Sequence, residues 1–328
     1  MRKVLLIVVF VLLYSCKKDK SELKIIEGNA IGTTFSIRYL DKYENNFELK
    51  IDSIIKAVNK STSTYIPTSD ISRINKGDSS VVVDRYFEEV FKKSAKIYNE
   101  TEGVFDPTVG ILVNAWGFGP ENDISDLDSL KIDSLLTYVG FNKVSLVNNK
   151  VRKMYPEIYF DFNAIGKGYL VDIIGRLFEE NNIKNYMVEI GGEIRARGVN
   201  QKGIAWTIAI ENPNEDGTRS FATTIQLHNE SIATSGNYRK YRITDDGKKY
   251  VHTINTKTGY ASESNLLSAS VISKSDCADV DGYATALMAM GFEKAKSFLE
   301  MHTELKAFLI YADENGEMQT YKSVNFNN

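Results

Sequence analysis

Apolar and polar residues alternate between Ile25 and Leu40, with Gly32-Thr-Thr34 in the middle, which predicts strand, turn, strand. Phe47, Ile51, Ile54, Ile55 and Val58 instead recur at helical spacing. A second amphipathic helix is predicted over 84–100, with Phe87, Val90, Phe91, Ala95 and Tyr98 on one face. Between them, the hydroxyl-rich loop 61–70 offers Ser69 or Asp70 as a cap for the short segment 71–75. Residues 81–83 read as extended, 114–120 as a glycine-punctuated aromatic loop, 123–128 as an acidic surface excursion and 127–139 as a third helix. A hairpin is expected around Asn148-Asn149, followed by a strand over 157–161. That strand leads into a helix carrying Leu170, Ile173, Ile174, Leu177 and Phe178.

The second half is richer in strands. After 185–190 and Gly191-Gly192, strands are expected at about 193–199, 203–211, 221–229, 238–244 and 249–255, with Pro213 and Asp245-Asp-Gly247 supplying turns. Residues 266–273 are extended, 279–290 form a small-residue helix ended by Gly291, and 293–302 continue helical. A hairpin around Asn315-Gly316 closes the chain. Consecutive strands without intervening helices pair antiparallel. The pattern therefore predicts an α+β protein with a mixed, largely antiparallel sheet and helices packed on it.

Composition changes this picture little. At 328 residues, with 43% hydrophobic and 25% charged positions, the chain has the material for an ordinary core, and a net charge of -3 gives no reason to expect a nucleic-acid partner. The N-terminus is more informative. Met1-Arg-Lys precedes an apolar run, Val4 to Tyr14, too short for a comfortable membrane span, and Leu13-Tyr-Ser-Cys16 resembles a lipobox. This predicts a signal peptide over 1–15, a lipidated Cys16, a polar tether over 16–24 and a folded domain over 25–328. The protein is expected to be exported and membrane-anchored, facing the periplasm of a bacterium; an ordinary signal peptide or a signal anchor is the other reading. Cys277 is the one remaining cysteine, so the mature domain has no internal disulfide.

Four stretches carry candidate chemistry. In Asp161-Phe-Asn-Ala-Ile-Gly-Lys-Gly-Tyr169 a carboxylate, two glycines and a lysine meet at a helix start. Such a place favours anions, although an exposed lysine on a plain turn has the same spelling. The stretch is neither a Walker A loop nor a Rossmann fingerprint. Asp281 and Thr285, four apart on a predicted helix, put a carboxylate and a hydroxyl on one face. That pair suits a hard cation or, more blandly, helix-end charge and a back-bonded hydroxyl. His252, one of three histidines, stands at a strand end, where it serves as a general base, a phosphate contact or a hydrogen-bonded surface residue. Ser231 to Lys240, hydroxyl-rich and broken by Gly236, reads as a phosphate or flavin wrap or as a β-turn. No Cys/His cluster suggests zinc, and no Gly-x-Ser-x-Gly elbow is present.

These stretches, taken together and in order, resemble the ApbE-type FAD:protein FMN transferase family. The matching pieces are Ile31-Gly-Thr-Thr34; Ser63-Thr-Tyr65 with Ser69-Asp-Ile-Ser-Arg73; and Gly103-Val-Phe-Asp-Pro-Thr-Val-Gly110 with Trp116-Gly-Phe118. They continue with Asp161 to Asp172, Glu189-Ile-Gly-Gly-Glu193, Ala233-Thr-Ser-Gly236, His252-Thr-Ile-Asn with Thr258-Gly259, and Asp281-Gly-Tyr-Ala-Thr-Ala-Leu287. The resemblance covers about residues 25 to 312 and implies two interlocked lobes with FAD between them.

It further implies that Asp161 and Lys167 hold FAD. Tyr65 and Val104-Phe105-Asp106 line the flavin and adenosine sites, with Ile31 and Ile254 as apolar contacts. The Ala164 carbonyl, Asp281 and Thr285 bind Mg2+, or Mn2+ in its place, and His252 stands at the reacting centre. Ile31 replaces the family's usual Met, and Asn255 its usual Asp. The implied reaction moves FMN from FAD to a Thr or Ser hydroxyl of an exported acceptor, such as a subunit of a membrane redox complex, and releases AMP. A Mg2+-dependent FAD pyrophosphatase and a non-catalytic FAD-binding lipoprotein are the competing readings.

Overall fold

The computed structural model describes residues 21–43, 45–121, 127–214, 218–237, 241–243, 249–261 and 264–326. The expected lipidation site Cys16, the signal peptide and most of the tether lie outside these residues. So do the Asp245-Asp-Gly247 turn and most of the acidic excursion.

The chain opens with β1 (Glu22–Ala30) and β2 (Thr33–Asp41), so pairing starts three residues earlier than the pattern suggested. Their tight turn is Ile31-Gly32, both at positive φ, 42° and 77°. Helices α1 (Glu48–Thr62), α2 (Asp70–Asn75) and α3 (Arg85–Glu100) follow. Ser69 caps α2 by accepting from Ser72 N–H, and Asp84 caps α3 by accepting from Tyr86 and Phe87 N–H, each cap contributing about 1 kcal/mol. Then come α4 (Gly110–Ala115), α5 (Ser129–Leu136), the hairpin β3 (Val144–Val147) and β4 (Lys150–Lys153), and the long α6 (Asn163–Glu180). The hairpin turns on Asn148 and Asn149, both left-handed, as that dipeptide permits.

The strand-rich half contains β5 (Tyr186–Ile190), β6 (Glu193–Arg197), β7 (Trp206–Glu211), β8 (Phe221–Leu227), β9 (Ser231–Gly236), β10 (Tyr241–Ile243), β11 (Lys249–Val251) and β12 (Leu266–Ser273). Helices α7 (Cys277–Met290) and α8 (Phe292–Met301) and the hairpin β13 (Lys306–Ala312), β14 (Met318–Lys322) complete it. Eight strands form one sheet in the order β1-β2-β5-β6-β9-β12-β13-β14, and every neighbouring pair is antiparallel.

Alternation along these strands separates two faces. Phe35, Ile37, Tyr186, Val188, Ala233, Ala269 and Val271 join the main core beneath α1, α3, α6 and α7. Met187, Ile194, Ile232, Ile272, Phe308 and Ile310 face the other way and are covered by the β7–β8 hairpin through Trp206, Ile210 and Leu227. A third, smaller cluster of Leu112, Phe118, Val139, Ile254 and Ala261 marks the second lobe, built on α4 and α5.

Two expectations fail here. Residues 157–161 are not a strand: Asn75 takes both backbone groups of Phe160 (2.8 Å each), Asp161 N–H donates to Pro107 O at 2.7 Å, and one parallel bridge joins Tyr159 to Val109. Ser231 to Gly236, read as a wrap or a turn, is instead a central strand. Its hydroxyls are satisfied across the sheet, as where Thr234 Oγ1 meets Ser270 Oγ at 2.7 Å.

Helix α7 is the most enclosed element near the sheet. Every residue from Cys277 to Met288 is buried except Thr285, which is half-buried. Small residues make this possible. A methyl on Gly168 of α6 would lie 2.7 Å from the Cys277 carbonyl carbon and 2.8 Å from Ala278 N, so the two helices cross backbone to backbone. The start of α7 is fixed by Asp172 of α6, which accepts from Cys277 and Ala278 N–H (2.8 Å each) and pairs with Arg195 Nη1 at 2.9 Å.

Candidate active site

Three elements converge on the first turn of α6. Asp161 Oδ1 accepts the Asn163 N–H at 2.7 Å, an Asx turn that starts the helix one residue after Phe162 is driven into the core. From that turn Lys167 reaches Glu193 at the head of β6, with Nζ to Oε1 at 2.5 Å. Asp281 of α7 accepts the Gly168 N–H through Oδ2 at 3.0 Å. In a helix that N–H faces the carbonyl four residues back, so Asp281 lies beside the Ala164 carbonyl. Thr285 stands one turn further along α7 and is the one position there with open access. Of the expected ligand set, Asp281 is held at the Gly168 N–H, one turn past Ala164, with Lys167 next to it and Thr285 one turn further along α7.

The electrostatics of the junction are unbalanced. Burial pushes the Asp281 carboxyl above its ordinary value, against the opposing pull of Lys167 and the Gly168 N–H. Burial also pushes Glu193 up to about 8; Lys167 opposes this and the Asp281 charge adds to it. Lys167 stays protonated in spite of burial because Asp281 and Glu193 both hold its charge. This pocket shares one ammonium between two carboxylates whose charges burial disfavours. Its free donors are all oxygens, which is what a hard divalent cation takes.

The Ile31 turn closes one side. Gly191, at φ +60°, donates its N–H to Thr34 O at 3.1 Å, and a side chain on it would strike Thr33 Cγ2 at 2.8 Å and Lys167 Cδ at 3.3 Å. A cavity of about 570 Å3 lined by residues 29–34, Ile55 and Asn59 runs along this edge. On the other side Tyr65 is largely exposed. Partial burial and the Asp161 charge push its hydroxyl above the ordinary value.

The His252 loop belongs to the second lobe and is held at three points. Thr253 Oγ1 donates to Asn237 Oδ1 at 2.8 Å, at the end of β9. Thr256 Oγ1 donates to Gly103 O at 2.7 Å, and Trp116 Nε1 to Gly259 O at 2.8 Å. His252 is half-buried, its ring edge-on to Phe118 with centroids 6.4 Å apart. Ile254 is buried within the small cluster beside Phe118.

The 104–106 segment is turned inward. Phe105 is 3% exposed, and Asp106 accepts from Thr108 N–H (2.8 Å), Thr108 Oγ1 (2.6 Å) and Phe141 N–H (3.0 Å). With its carboxylate committed in this way, what this segment offers a ligand is backbone rather than the Phe105 or Asp106 side chain. Glu193 was passed over as a site residue in the sequence, although it closes the Glu189-Ile-Gly-Gly-Glu193 motif. A glutamate after two glycines gives no hint of burial until the sheet buries it.

An antiparallel sheet carries two crossed helices, and an anion-favouring helix start meets a buried carboxylate at their crossing, an arrangement with the chemistry of a phosphate-handling enzyme. The sequence model of the ApbE family matches residues 31–309. The chain belongs to that family. An FAD:protein FMN transferase of Haemophilus influenzae is 36% identical over 318 residues, spanning 93% of this chain and 90% of its own. Among solved structures, the flavin transferase ApbE from Vibrio cholerae matches with a TM-score of 0.83 at 34% identity, covering 93% of this chain and 98% of its own. The apo form of the Pseudomonas stutzeri flavinyl transferase ApbE matches with a TM-score of 0.83 at 27% identity, covering 94% and 96%.

Proposed function

We propose that the protein transfers FMN from FAD to a threonine or serine hydroxyl of an acceptor protein and releases AMP. The acceptor oxygen attacks the FMN phosphorus, the bond from that phosphorus to the oxygen of the AMP phosphate breaks, and AMP leaves with the electron pair. The hydroxyl proton passes to a base, for which His252 is the candidate. Lys167 and the start of α6 receive the pyrophosphate, with Asp161 and Tyr65 beside it; Ile31, Ile254 and the backbone of 104–106 line the rest of the cleft. Asp281, Thr285 and the Ala164 carbonyl would hold Mg2+ or Mn2+, which supplies neutralisation of phosphate charge when bound. The donors fit it: they are oxygens, and the Asp281 charge is disfavoured as it stands.

The observation that carries this reading is the Asp281 carboxylate resting on the Gly168 N–H beside Ala164 and Lys167. Its test is incubation of the protein with FAD, Mg2+ and a domain bearing a flavinylation motif. Covalent flavin on the target with equimolar AMP supports transfer; AMP and FMN without labelling would mean a pyrophosphatase, and bound FAD without turnover a binding protein. Asp281→Asn keeps an acceptor for Gly168, so it should fold while losing roughly 100-fold or more of the Mg2+-dependent rate. An unchanged rate at limiting Mg2+ removes the ligand role.

The same proposal places the enzyme outside the cytoplasm on a lipid anchor at Cys16, acting on exported subunits of membrane redox complexes. Cys16→Ser should move it from the membrane fraction to the soluble one. Unaltered membrane retention would refute the anchor.

A further inference from the structure

The buried carboxylates of this fold differ in how they are satisfied. Asp106 accepts three hydrogen bonds from its own surroundings, and Asp172 accepts two N–H groups and Arg195. Glu193 is as buried, at 1% exposure, yet only Oε1 is engaged, by Lys167. Oε2 is enclosed and has no hydrogen-bond partner among the described residues. Leaving a buried carboxylate oxygen unbonded costs stability, so a purely structural role explains this residue poorly.

The lysine it holds is constrained from a second direction. The Lys167 stem runs close to Gly191, where a methyl would come within 3.3 Å of Lys167 Cδ, and about a third of the side chain is exposed. Asp281 also attracts this ammonium, yet the ion pair forms with Glu193. Two carboxylates thus compete for one lysine, and Glu193 wins.

We propose that Glu193 is a positioning residue: it ties Lys167 away from Asp281, so that the ammonium is left for the substrate's pyrophosphate and the Asp281 carboxylate for the divalent cation. The inference rests on the FMN-transfer reading of this junction. Without the Glu193 charge, Lys167 swings to Asp281, and one group blocks the other.

The test uses Glu193→Gln, Lys167→Met and the double variant, each checked for folding by thermal unfolding. Mn2+ affinity is read by electron paramagnetic resonance in the absence of FAD, and kcat and KM for FAD are read separately. Glu193→Gln should weaken Mn2+ binding about 10-fold, because a lysine charge now faces the carboxylate. It should lower kcat roughly 10- to 100-fold with KM changed less than about three-fold, as expected for lost preorganisation. In the Lys167→Met background, which has no ammonium to misplace, adding Glu193→Gln should change neither Mn2+ affinity nor kcat by more than about two-fold. Equal losses in both backgrounds, or full Mn2+ affinity in Glu193→Gln, would overturn the proposal. An unaltered protein that binds no Mn2+ and transfers no flavin overturns the functional reading, and this inference with it; a protein that does both while Glu193→Gln behaves like it overturns this inference alone.

Discussion

Ile31 occupies the left-handed region at φ 42°, a conformation that costs a β-branched side chain about 1 kcal/mol or more. It does so at the tip of the turn packed against Gly191 and Lys167, where the family resemblance expects a ligand contact. Ile31→Asn should therefore raise stability by about 1 kcal/mol in denaturant unfolding while weakening FAD binding, two opposite changes from one side chain. Stability that falls along with affinity would mean the turn is unstrained.

The two glycines around Lys167 separate in the same way. Nothing stands within 4 Å of a methyl built on Gly166, whereas one on Gly168 strikes the backbone at Cys277. Gly166→Ala should gain up to about 1 kcal/mol of stability and lose FAD affinity; Gly168→Ala should lose about 1–3 kcal/mol as the helices are forced apart. Calorimetry and flavin-fluorescence titration read both. At this scale Lys167, Asp281 and Thr285 stand out in the sequence because their residue types announce chemistry, and the fold sets Lys167 and Asp281 at one junction. The sequence was silent on Glu193, whose meaning is its burial, and generous to Phe105 and Asp106, whose side chains the fold uses internally.

At the scale of elements, long periodic segments were legible and short or polar ones were not. The helices α1, α3 and α6 follow their apolar periods, and α7 shows as a run of small residues ended by Gly291. Helix α4, with six residues, has too few turns to show one. The strand β9 hid because Ser231, Thr234 and Ser235 look like a turn, and only pairing with β6 and β12 on both sides makes a hydroxyl-rich strand viable. The strand expected at 157–161 was lost to Asn75, a partner 85 residues away that no local pattern reveals.

The seat of α7 also sets an acid limit. Burial disfavours the Asp276 charge, but Lys93, Arg176 and Arg195 together hold its carboxyl well below its ordinary value of 3.8. As pH falls through that ordinary value, the unfolded chain binds a proton that the folded one refuses. The Asp276 contribution is therefore whole above about pH 5 and drains away below it. Asp276→Asn should lower the unfolding temperature at neutral pH and flatten its decline between about pH 5 and about pH 3; parallel profiles for the two proteins would show that the network does not couple to folding.

Across the whole molecule, a largely antiparallel sheet with helices packed on it was foreseeable from strands following one another without helices. The way the 250s loop is held was not, because it depends on single bonds such as Thr256 to Gly103 and Trp116 to Gly259 between segments more than 140 residues apart. One outer strand of that sheet, β1, begins at Glu22, six residues past Cys16. On the proposed acylation of Cys16, the residues between it and β1 would span about 20 Å at most, so the catalyst would patrol a shallow layer above the headgroups, and any acceptor would have to present its hydroxyl within that layer rather than from a distant soluble complex.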